Sequence, residues 1–267
     1  MKHVLIANGR RITTQINGRP SSLPLVLLHG LCEDHSCWAP LLPLLKGLRI
    51  LRIDLPGFGG SDLPDAPGMR SYADAVCAVL NDLNISRCVM VGHSMGGYTT
   101  LAFAEKYPER LAGFGLFHSH SLADTEVQIE NRKRGIALLE SGKKAVYVAN
   151  LFSTLFAPEF AARYPEIIEK LIRRGRRQPA EGIIAALQGM MQRPDRGEVL
   201  RNTSLPVLFL LGEHDHFVPA AHREKMLHLP RLADIHLLPG VAHMAMFEVP
   251  EKAASIVRAF YTLCKNR

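Results

Sequence analysis

The sequence predicts an α/β fold: a mostly parallel central sheet flanked by helices, with an inserted all-helical cap. Four short apolar runs, at residues 25–28, 49–53, 88–91 and 206–211, each end in small or polar residues. Continuous apolar runs are typical of parallel strands buried on both faces. Helical patterns lie between the runs, which favours right-handed strand–helix–strand units.

Two further strands, at residues 113–118 and 234–238, complete the predicted parallel part of the sheet. Before it, residues 1–7 and 12–16 flank Asn8-Gly9, a dipeptide typical of tight hairpin turns. The sheet is therefore expected to begin with an antiparallel pair.

Helical patterns fill most of the remaining chain. Residues 71–83 and 95–107 are predicted to be helices of the core. The stretch between residues 118 and 206 is far longer than a crossover helix needs, which is about a dozen residues. Its pattern is helical throughout, at 125–139, 143–152, 158–173 and 180–192. We therefore expect a first part of the core over residues 1–120, a helical cap over 121–203 and a second part of the core over 204–267.

The composition is that of a globular protein, with 47% hydrophobic and 21% charged residues among 267. Lysine and arginine number 32 against 25 for aspartate and glutamate, which gives a net charge of +7. This surplus favours anionic partners, but no nucleic-acid-binding signature accompanies it. We expect a monomer or a homodimer that binds no nucleic acid.

The cysteines are odd in number and lack the spacing of a zinc site, which predicts a reduced cytoplasmic protein. They are Cys32, Cys37, Cys77, Cys88 and Cys264. The N-terminal apolar run is too short for a signal peptide, and no run approaches the roughly 20 apolar residues of a membrane helix. We therefore expect no membrane association.

A serine stands in a five-residue motif between a predicted strand and a predicted helix. The motif reads Gly92-His93-Ser94-Met95-Gly96. In the pattern Gly-x-Ser-x-Gly, small residues permit a sharp turn that lifts the serine hydroxyl out of the sheet. The N-terminus of the following helix favours negative charge at the same place. Ser94 is therefore the candidate nucleophile.

A serine hydroxyl needs a base, and the base needs an acid that orients it. Asp215 and His243 follow the last two predicted strands, in the chain order that this motif requires. Because the carboxyl ends of parallel strands meet at one edge of a sheet, we expect both side chains near Ser94. Glu213 is an alternative to Asp215, although it lies closer to the strand end.

Four other histidines are candidates for lesser roles. His118 and His120 follow an earlier strand, and we interpret them as ordinary loop residues while leaving open that they line a pocket. His214 and His216 have the spacing of a metal pair, but no further carboxylate–histidine set supports them. The sequence therefore predicts no metal and no cofactor.

Attack on a carbonyl places negative charge on its oxygen, which backbone N–H groups can stabilise. Met95, directly after the serine, supplies one donor. The loop after the first buried strand reads His29-Gly30-Leu31-Cys32. Gly30 is expected to let the backbone turn so that the Leu31 N–H is the other donor, with Cys32 as second choice.

Five motifs in this order resemble the α/β-hydrolase superfamily over essentially the whole chain. They are His29-Gly30 with Trp38, and the stretches 54–61, 92–97, 212–219 and 240–243. The resemblance implies a serine hydrolase that cleaves a carboxylic ester, or a related thioester or lactone, through an acyl-enzyme on Ser94. It also implies that 54–57 is a structural loop. The aspartate nucleophile of haloalkane dehalogenases and epoxide hydrolases is absent.

Other functions share this scaffold and stay open. A lyase or a cofactor-free oxygenase would use the same three residues, and carbon–carbon hydrolases share the motifs. A ligand-binding protein with vestigial hydrolysis is a further alternative. Labelling by an active-site probe and measurement of ester turnover would distinguish these hypotheses.

The cap is expected to decide the substrate, because it would cover the edge of the sheet where Ser94 lies. Its apolar residues either line an acyl pocket or pack the cap onto the core; they are Leu151, Phe152, Leu155, Phe156, Leu187, Met190 and Met191. Its basic clusters, at 132–134, 143–144 and 173–177, are either solvated helix faces or attract an anionic or carrier-protein-linked ester.

Overall fold

Eight strands join into one sheet in the computed structural model, which describes residues 2–7, 9–19 and 22–267. In chain order they are β1 (Lys2–Ala7), β2 (Arg10–Asn17), β3 (Pro24–Leu28), β4 (Arg49–Ile53), β5 (Cys88–His93), β6 (Leu111–Phe117), β7 (Val207–Gly212) and β8 (Ala233–Leu238). Across the sheet their order is β1-β2-β4-β3-β5-β6-β7-β8. The predicted α/β fold is confirmed.

The first two strands give the sheet its antiparallel edge. β1 pairs antiparallel with β2, and β2 with β4, whereas all later neighbours are parallel. The predicted antiparallel start is therefore confirmed, although Asn8 of the predicted turn lies outside the described residues. β3, β5, β6 and β7 are buried along their whole length, as their continuous apolar runs predict.

Among the described residues the predicted helices occur in the expected order with one break, and the last four helices in the chain were not predicted. They are α1 (Met69–Asp82), α2 (Met95–Lys106), α3 (Glu126–Glu140), α4 (Lys144–Ser153), α5 (Pro158–Arg163), α6 (Pro165–Gly175), α7 (Ala180–Met191), α8 (Gly197–Asn202), α9 (Ala220–Met226), α10 (Ala245–Glu248) and α11 (Pro250–Lys265). The single helix expected over 158–173 is wrong, because Pro165 lacks an N–H and starts a new helix after Tyr164. None of the helices in the described part of the chain has both the length and the apolar character needed to cross a bilayer.

Helices α3 to α8 form the helical segment between β6 and β7, and the loop at 54–61 holds it against the sheet. Gly59 donates its N–H to the side-chain oxygen of Gln178 at 2.8 Å. Gly182 of α7 lies so close to Gly57 that a Cβ on Gly182 would be 1.9 Å from the Gly57 carbonyl oxygen. Contact between two bare backbones explains why both positions are glycine. The loop has the structural role that the resemblance implies.

Candidate active site

Ser94 occupies a sharp turn between β5 and α2. Its φ of 51° and ψ of −114° lie in a region that serine rarely adopts. The turn is this tight because its neighbours have no side chains: a Cβ on Gly92 would lie 2.1 Å from the Gly96 carbonyl oxygen. A Cβ on Gly96 would lie 2.5 Å from the carbonyl oxygen of Leu28. The strained backbone therefore lifts the Ser94 side chain above the carboxyl ends of the strands.

Asp215, just past the end of β7, contacts His243 from the loop after β8. Its Oδ2 lies 2.9 Å from Nδ1 of His243 and 3.0 Å from Nδ1 of His118, which directly follows β6. The other oxygen, Oδ1, accepts the backbone N–H groups of Phe217 at 2.9 Å and Val218 at 3.3 Å. Four donors therefore fix this buried carboxylate.

The hydrogen bonds determine which ring nitrogen of His118 carries the proton. The Ala245 N–H donates to Nε2 of His118 at 3.3 Å, so the proton of a neutral His118 sits on Nδ1 and is donated to Asp215. Burial lowers the pKa of His118 to about 4, although the Asp215 charge opposes this. Burial alone would raise the pKa of Asp215, but the charge of His243 and the hydrogen bonds from both histidines hold it well below its ordinary range. Asp215 is thus a carboxylate anion bonded to the imidazole rings of His118 and His243.

Ser94 and His243 line the same cavity, whose volume is about 220 Å³. Their reactive atoms, Oγ of Ser94 and Nε2 of His243, have no hydrogen-bond partner among the described residues and are not bonded to each other. Such pairs commonly close only when a substrate is bound. Glu213, the alternative acid, is half exposed and instead accepts the Gly240 N–H at 2.9 Å. The structure therefore pairs His243 with Asp215.

The loop after β3 provides backbone donors. The residue with a positive φ in this loop is Cys32, at 60°, rather than Gly30. A Cβ on Gly30 would lie 2.8 Å from Nδ1 of His93, so glycine is needed there for space. The N–H groups of Leu31 and Met95 have no partner within the described ranges, and Leu31 lines the cavity.

A buried ion pair ties this loop to the serine turn. Oε2 of Glu33 accepts the Gly30 N–H at 2.7 Å and lies 3.0 Å from Nδ1 of His93. Nε2 of His93 lies 3.0 Å from the carbonyl oxygen of His243, so both ring nitrogens face acceptors. Burial opposes charge on both groups, but each charge stabilises the other: the pKa of Glu33 is lowered and that of His93 is raised. Sequence reasoning missed Glu33 altogether.

The backbone around His243 is anchored a second time by Glu248 of α10. Its carboxylate accepts the N–H groups of Ala242 at 3.1 Å and Met244 at 3.0 Å, on either side of His243. It also accepts the N–H of Ala157, from the helical segment, at 3.0 Å. The His243 N–H itself donates to the carbonyl oxygen of Leu155 at 2.9 Å. The helical segment and the histidine loop are therefore bonded together.

The geometry disfavours a metal site and a thiol nucleophile. His118, Asp215 and His243 have ligand atoms within 4.8 Å of one another, the spacing of a metal site. Because Nδ1 of His118 carries a proton, it offers no lone pair to a metal in this arrangement. Burial raises the pKa of the Cys32 thiol far above its ordinary value, so this thiol is not a nucleophile.

The remaining cavity wall is mostly apolar and comes largely from the helical segment. Among the residues expected to line an acyl pocket, four do so: Leu151, Leu155, Leu187 and Met190. Phe152 and Phe156 are buried in the core cluster and do not line it. The lining is thus apolar on the side where an acyl chain would lie.

Comparison with known proteins places this arrangement in a family. A model of the "Alpha/beta hydrolase family" matches residues 25–256. A 2-hydroxy-6-oxononadienedioate/2-hydroxy-6-oxononatrienedioate hydrolase from Burkholderia vietnamiensis is 30% identical, over 88% of this chain and 86% of the relative. The 3-oxoadipate enol-lactonase 1 of Acinetobacter baylyi is 26% identical over 96% of both chains. A thermophilic esterase from Thermogutta terrifontis, solved with malate bound, is 28% identical with a TM-score of 0.92 over 99% of both chains. With this fold, and with these relatives, the chain is a hydrolase that belongs to the alpha/beta hydrolase family.

Proposed function

We propose that this protein is a serine hydrolase that cleaves a carboxylic ester, or a related thioester or lactone, with a small to medium acyl group. The observation that carries the proposal is one cavity lined by both Ser94 and His243. Oδ2 of Asp215 lies 2.9 Å from Nδ1 of His243 and so orients the other ring nitrogen toward the cavity. Leu31, which lines the cavity, and Met95, next to Ser94, add two backbone N–H groups that have no partner among the described residues.

The proposed mechanism has two halves. Nε2 of His243 takes the proton of the Ser94 hydroxyl while Oγ attacks the carbonyl carbon, and the Leu31 and Met95 N–H groups stabilise the oxyanion. His243 then gives its proton to the departing alcohol, which leaves an acyl-enzyme. A water molecule attacks the acyl-enzyme by the same route and releases the acid. Throughout, Asp215 stabilises the protonated histidine.

The helical segment acts as a cap in this proposal. Its residues Leu151, Leu155 and Met190 share the cavity with Ser94, and its Leu155 carbonyl holds the His243 backbone. Substrate selection therefore depends on this segment. The described cysteines are free and buried, which favours a reducing compartment such as the cytoplasm.

An anionic substrate is part of the proposal. Two of the similar proteins are linked to dicarboxylates, one by its name as a dienedioate hydrolase and one by its bound malate. The net charge of +7 attracts such molecules at long range. We expect kcat/KM for an anionic ester to fall as ionic strength rises, and a flat response would contradict the attraction.

The deciding experiment is labelling with a fluorophosphonate probe, followed by turnover of p-nitrophenyl esters of increasing chain length. Wild type is expected to be labelled and to hydrolyse short esters, and Ser94→Ala to do neither. Ser86→Ala removes an exposed serine far from the cavity and serves as the matched control. A folded wild-type protein without labelling or turnover would reject the hydrolase and favour a ligand-binding protein.

A further inference from the structure

We propose that helix α3 carries a carboxylate-binding subsite, in which Arg132, with Gln128 and Asn131, holds a carboxylate of the substrate away from the reacting carbonyl. The substrates would then be hemiesters or lactones of dicarboxylic acids. This inference rests on the proposed function, because it assigns the other end of the same substrate. Of the basic cluster at 132–134, Arg132 would act in the site, whereas Lys133 and Arg134 are exposed to solvent.

The three side chains belong to one face of α3. Residues three and four apart on a helix are neighbours on its surface, and 128, 131 and 132 have this spacing. All three line the cavity that contains Ser94 and His243. Within the described residues, Arg132 is the only lysine or arginine lining that cavity.

Each of the three has a donor that no described residue of the protein uses. The Gln128 side-chain oxygen accepts from Thr125 in the capping box of α3, and its amide nitrogen has no partner among the described residues. Nε and Nη2 of Arg132 bind the two oxygens of Asp124, whereas Nη1 has no partner among the described residues. The Asn131 side chain makes no hydrogen bond in the described part of the chain. A planar carboxylate could accept from all three groups.

The charges behind this face leave one positive charge uncompensated. Asp124, whose side chain is fully buried, also receives Nη1 of Arg193 at 2.7 Å. One carboxylate therefore serves two guanidinium groups. Arg193 is itself buried, 3.9 Å from the ring centre of Tyr98, which lines the cavity. Glu33, the acid that does line the cavity, is neutralised by His93. An incoming anion would balance the surplus charge of the cluster formed by Asp124, Arg132 and Arg193.

Most of the remaining wall is apolar; the hydroxyls on it belong to Tyr98, which is bonded to His120, and to Tyr147. Leu151, Leu155, Leu187, Met190 and Val218 supply no hydrogen-bonding side chains. An ionised carboxylate against such a surface would lose its hydration without compensation. The cavity therefore suits an apolar connecting chain with an acid group directed at α3.

The test compares two esters of the same length, monoethyl glutarate and ethyl pentanoate, which differ by a carboxylate in place of a methyl group. The readout is the ratio of their kcat/KM values. Arg132→Gln is expected to lower this ratio about 10- to 100-fold, the usual effect of removing a charged hydrogen-bond partner. Lys133→Gln removes the same charge from the adjacent exposed position and is expected to leave the ratio unchanged. An equal loss on both esters would overturn the subsite.

A second variant guards against a purely structural effect, because Arg132 also binds Asp124. Asn131 is exposed and makes no hydrogen bond within the described ranges, so Asn131→Ala is expected to fold normally. It should lower the same ratio about three- to tenfold. An unchanged ratio in Asn131→Ala together with a global loss in Arg132→Gln would contradict the proposal.

Binding separates this inference from the proposed function. Calorimetry in the Ser94→Ala background is expected to show monoethyl glutarate binding that the double variant Ser94→Ala, Arg132→Gln loses. Binding through Arg132 without any ester turnover by wild type would uphold the subsite and reject the hydrolase. Turnover of both esters with no dependence of binding on Arg132 would reject the subsite and uphold the hydrolase.

Discussion

His118 and His243 hold the same oxygen atom, Oδ2 of Asp215, at 3.0 and 2.9 Å. His118 is neutral and donates from Nδ1, since the Ala245 N–H occupies its other nitrogen. The hydrogen bond from His118 therefore helps to fix the position and the negative charge of Asp215. We expect His118 to be a positioning residue, which acts on His243 through the carboxylate.

Replacing His118 should lower the rate according to whether the donor to Asp215 is kept. His118→Ala removes that donor, and we expect kcat for p-nitrophenyl esters to fall about tenfold. His118→Asn places an amide nitrogen where Nδ1 was and should retain most of kcat. Steady-state kinetics of both variants check this. Equal losses would mean that the hydrogen bond to Asp215 does not matter.

His118 should also make the protein less stable in acid. An unfolded histidine takes up a proton near pH 6.5, whereas burial delays protonation of native His118 to about pH 4. Between these values the unfolded state binds more protons, so the free energy of unfolding falls as the pH falls. The loss should amount to a few kcal/mol at most, about 1.4 for each pKa unit. Urea denaturation should show a wild-type advantage over His118→Asn that narrows from about pH 7 to about pH 5. A pH-independent difference would contradict this.

Part of this site could be predicted from the sequence because its residues sit in short, ordered motifs. Ser94 stands between obligatory glycines, and Asp215 and His243 follow predicted strands, so topology brings them to one edge. Glu33 and Glu248 carry no comparable signal. A single glutamate in a loop or a short helix says nothing about which distant N–H groups it will accept, and these contacts exist only in the folded chain.

Glu33→Gln should destabilise the protein, since no glutamine rotamer both accepts the Gly30 N–H and supplies a negative charge to His93. An amide oxygen there accepts the Gly30 N–H but carries no charge for His93, and an amide nitrogen cannot accept the N–H at all. We expect a loss of about 1–3 kcal/mol in urea denaturation at neutral pH. Glu140→Gln, at an exposed position, should change stability by less than about 0.5 kcal/mol.

The effect of Glu33→Gln should depend on pH in a fixed direction. Glu33 raises the pKa of His93 against the effect of burial, so the stabilisation is complete below the unfolded value of about 6.5. It is lost as the pH rises through the raised native value. The gap between wild type and Glu33→Gln should therefore shrink in alkaline solution. A gap that widens there would contradict a charged His93.

Glu248→Gln should slow the chemistry without touching a reacting group. An amide nitrogen in place of one oxygen faces a backbone N–H, at Met244 or at Ala242 and Ala157, and releases the loop that carries His243. We expect kcat to fall about tenfold, with a parallel fall in the rate of fluorophosphonate labelling. Glu251→Gln, exposed on α11, is the matched control and should behave as wild type.

Gly182→Ala should destabilise the protein, opposite in sign to the usual effect of that change in a helix. Alanine in place of glycine normally stabilises a helix interior by about 1 kcal/mol. At Gly182 the added methyl would lie 1.9 Å from the Gly57 carbonyl oxygen, so α7 must move away from the loop. We expect a net loss of about 1–3 kcal/mol in the free energy of unfolding, measured by urea denaturation.

The same substitution should change the substrate preference. Because Leu187 and Met190 lie on the same helix, the preference among ester chain lengths should shift as well. Gly197→Ala on α8, where the nearest atom is an Asp195 oxygen 3.1 Å away on an exposed side chain, should neither destabilise the protein nor shift the ester preference. Stabilisation by Gly182→Ala would show that α7 is not seated on this loop.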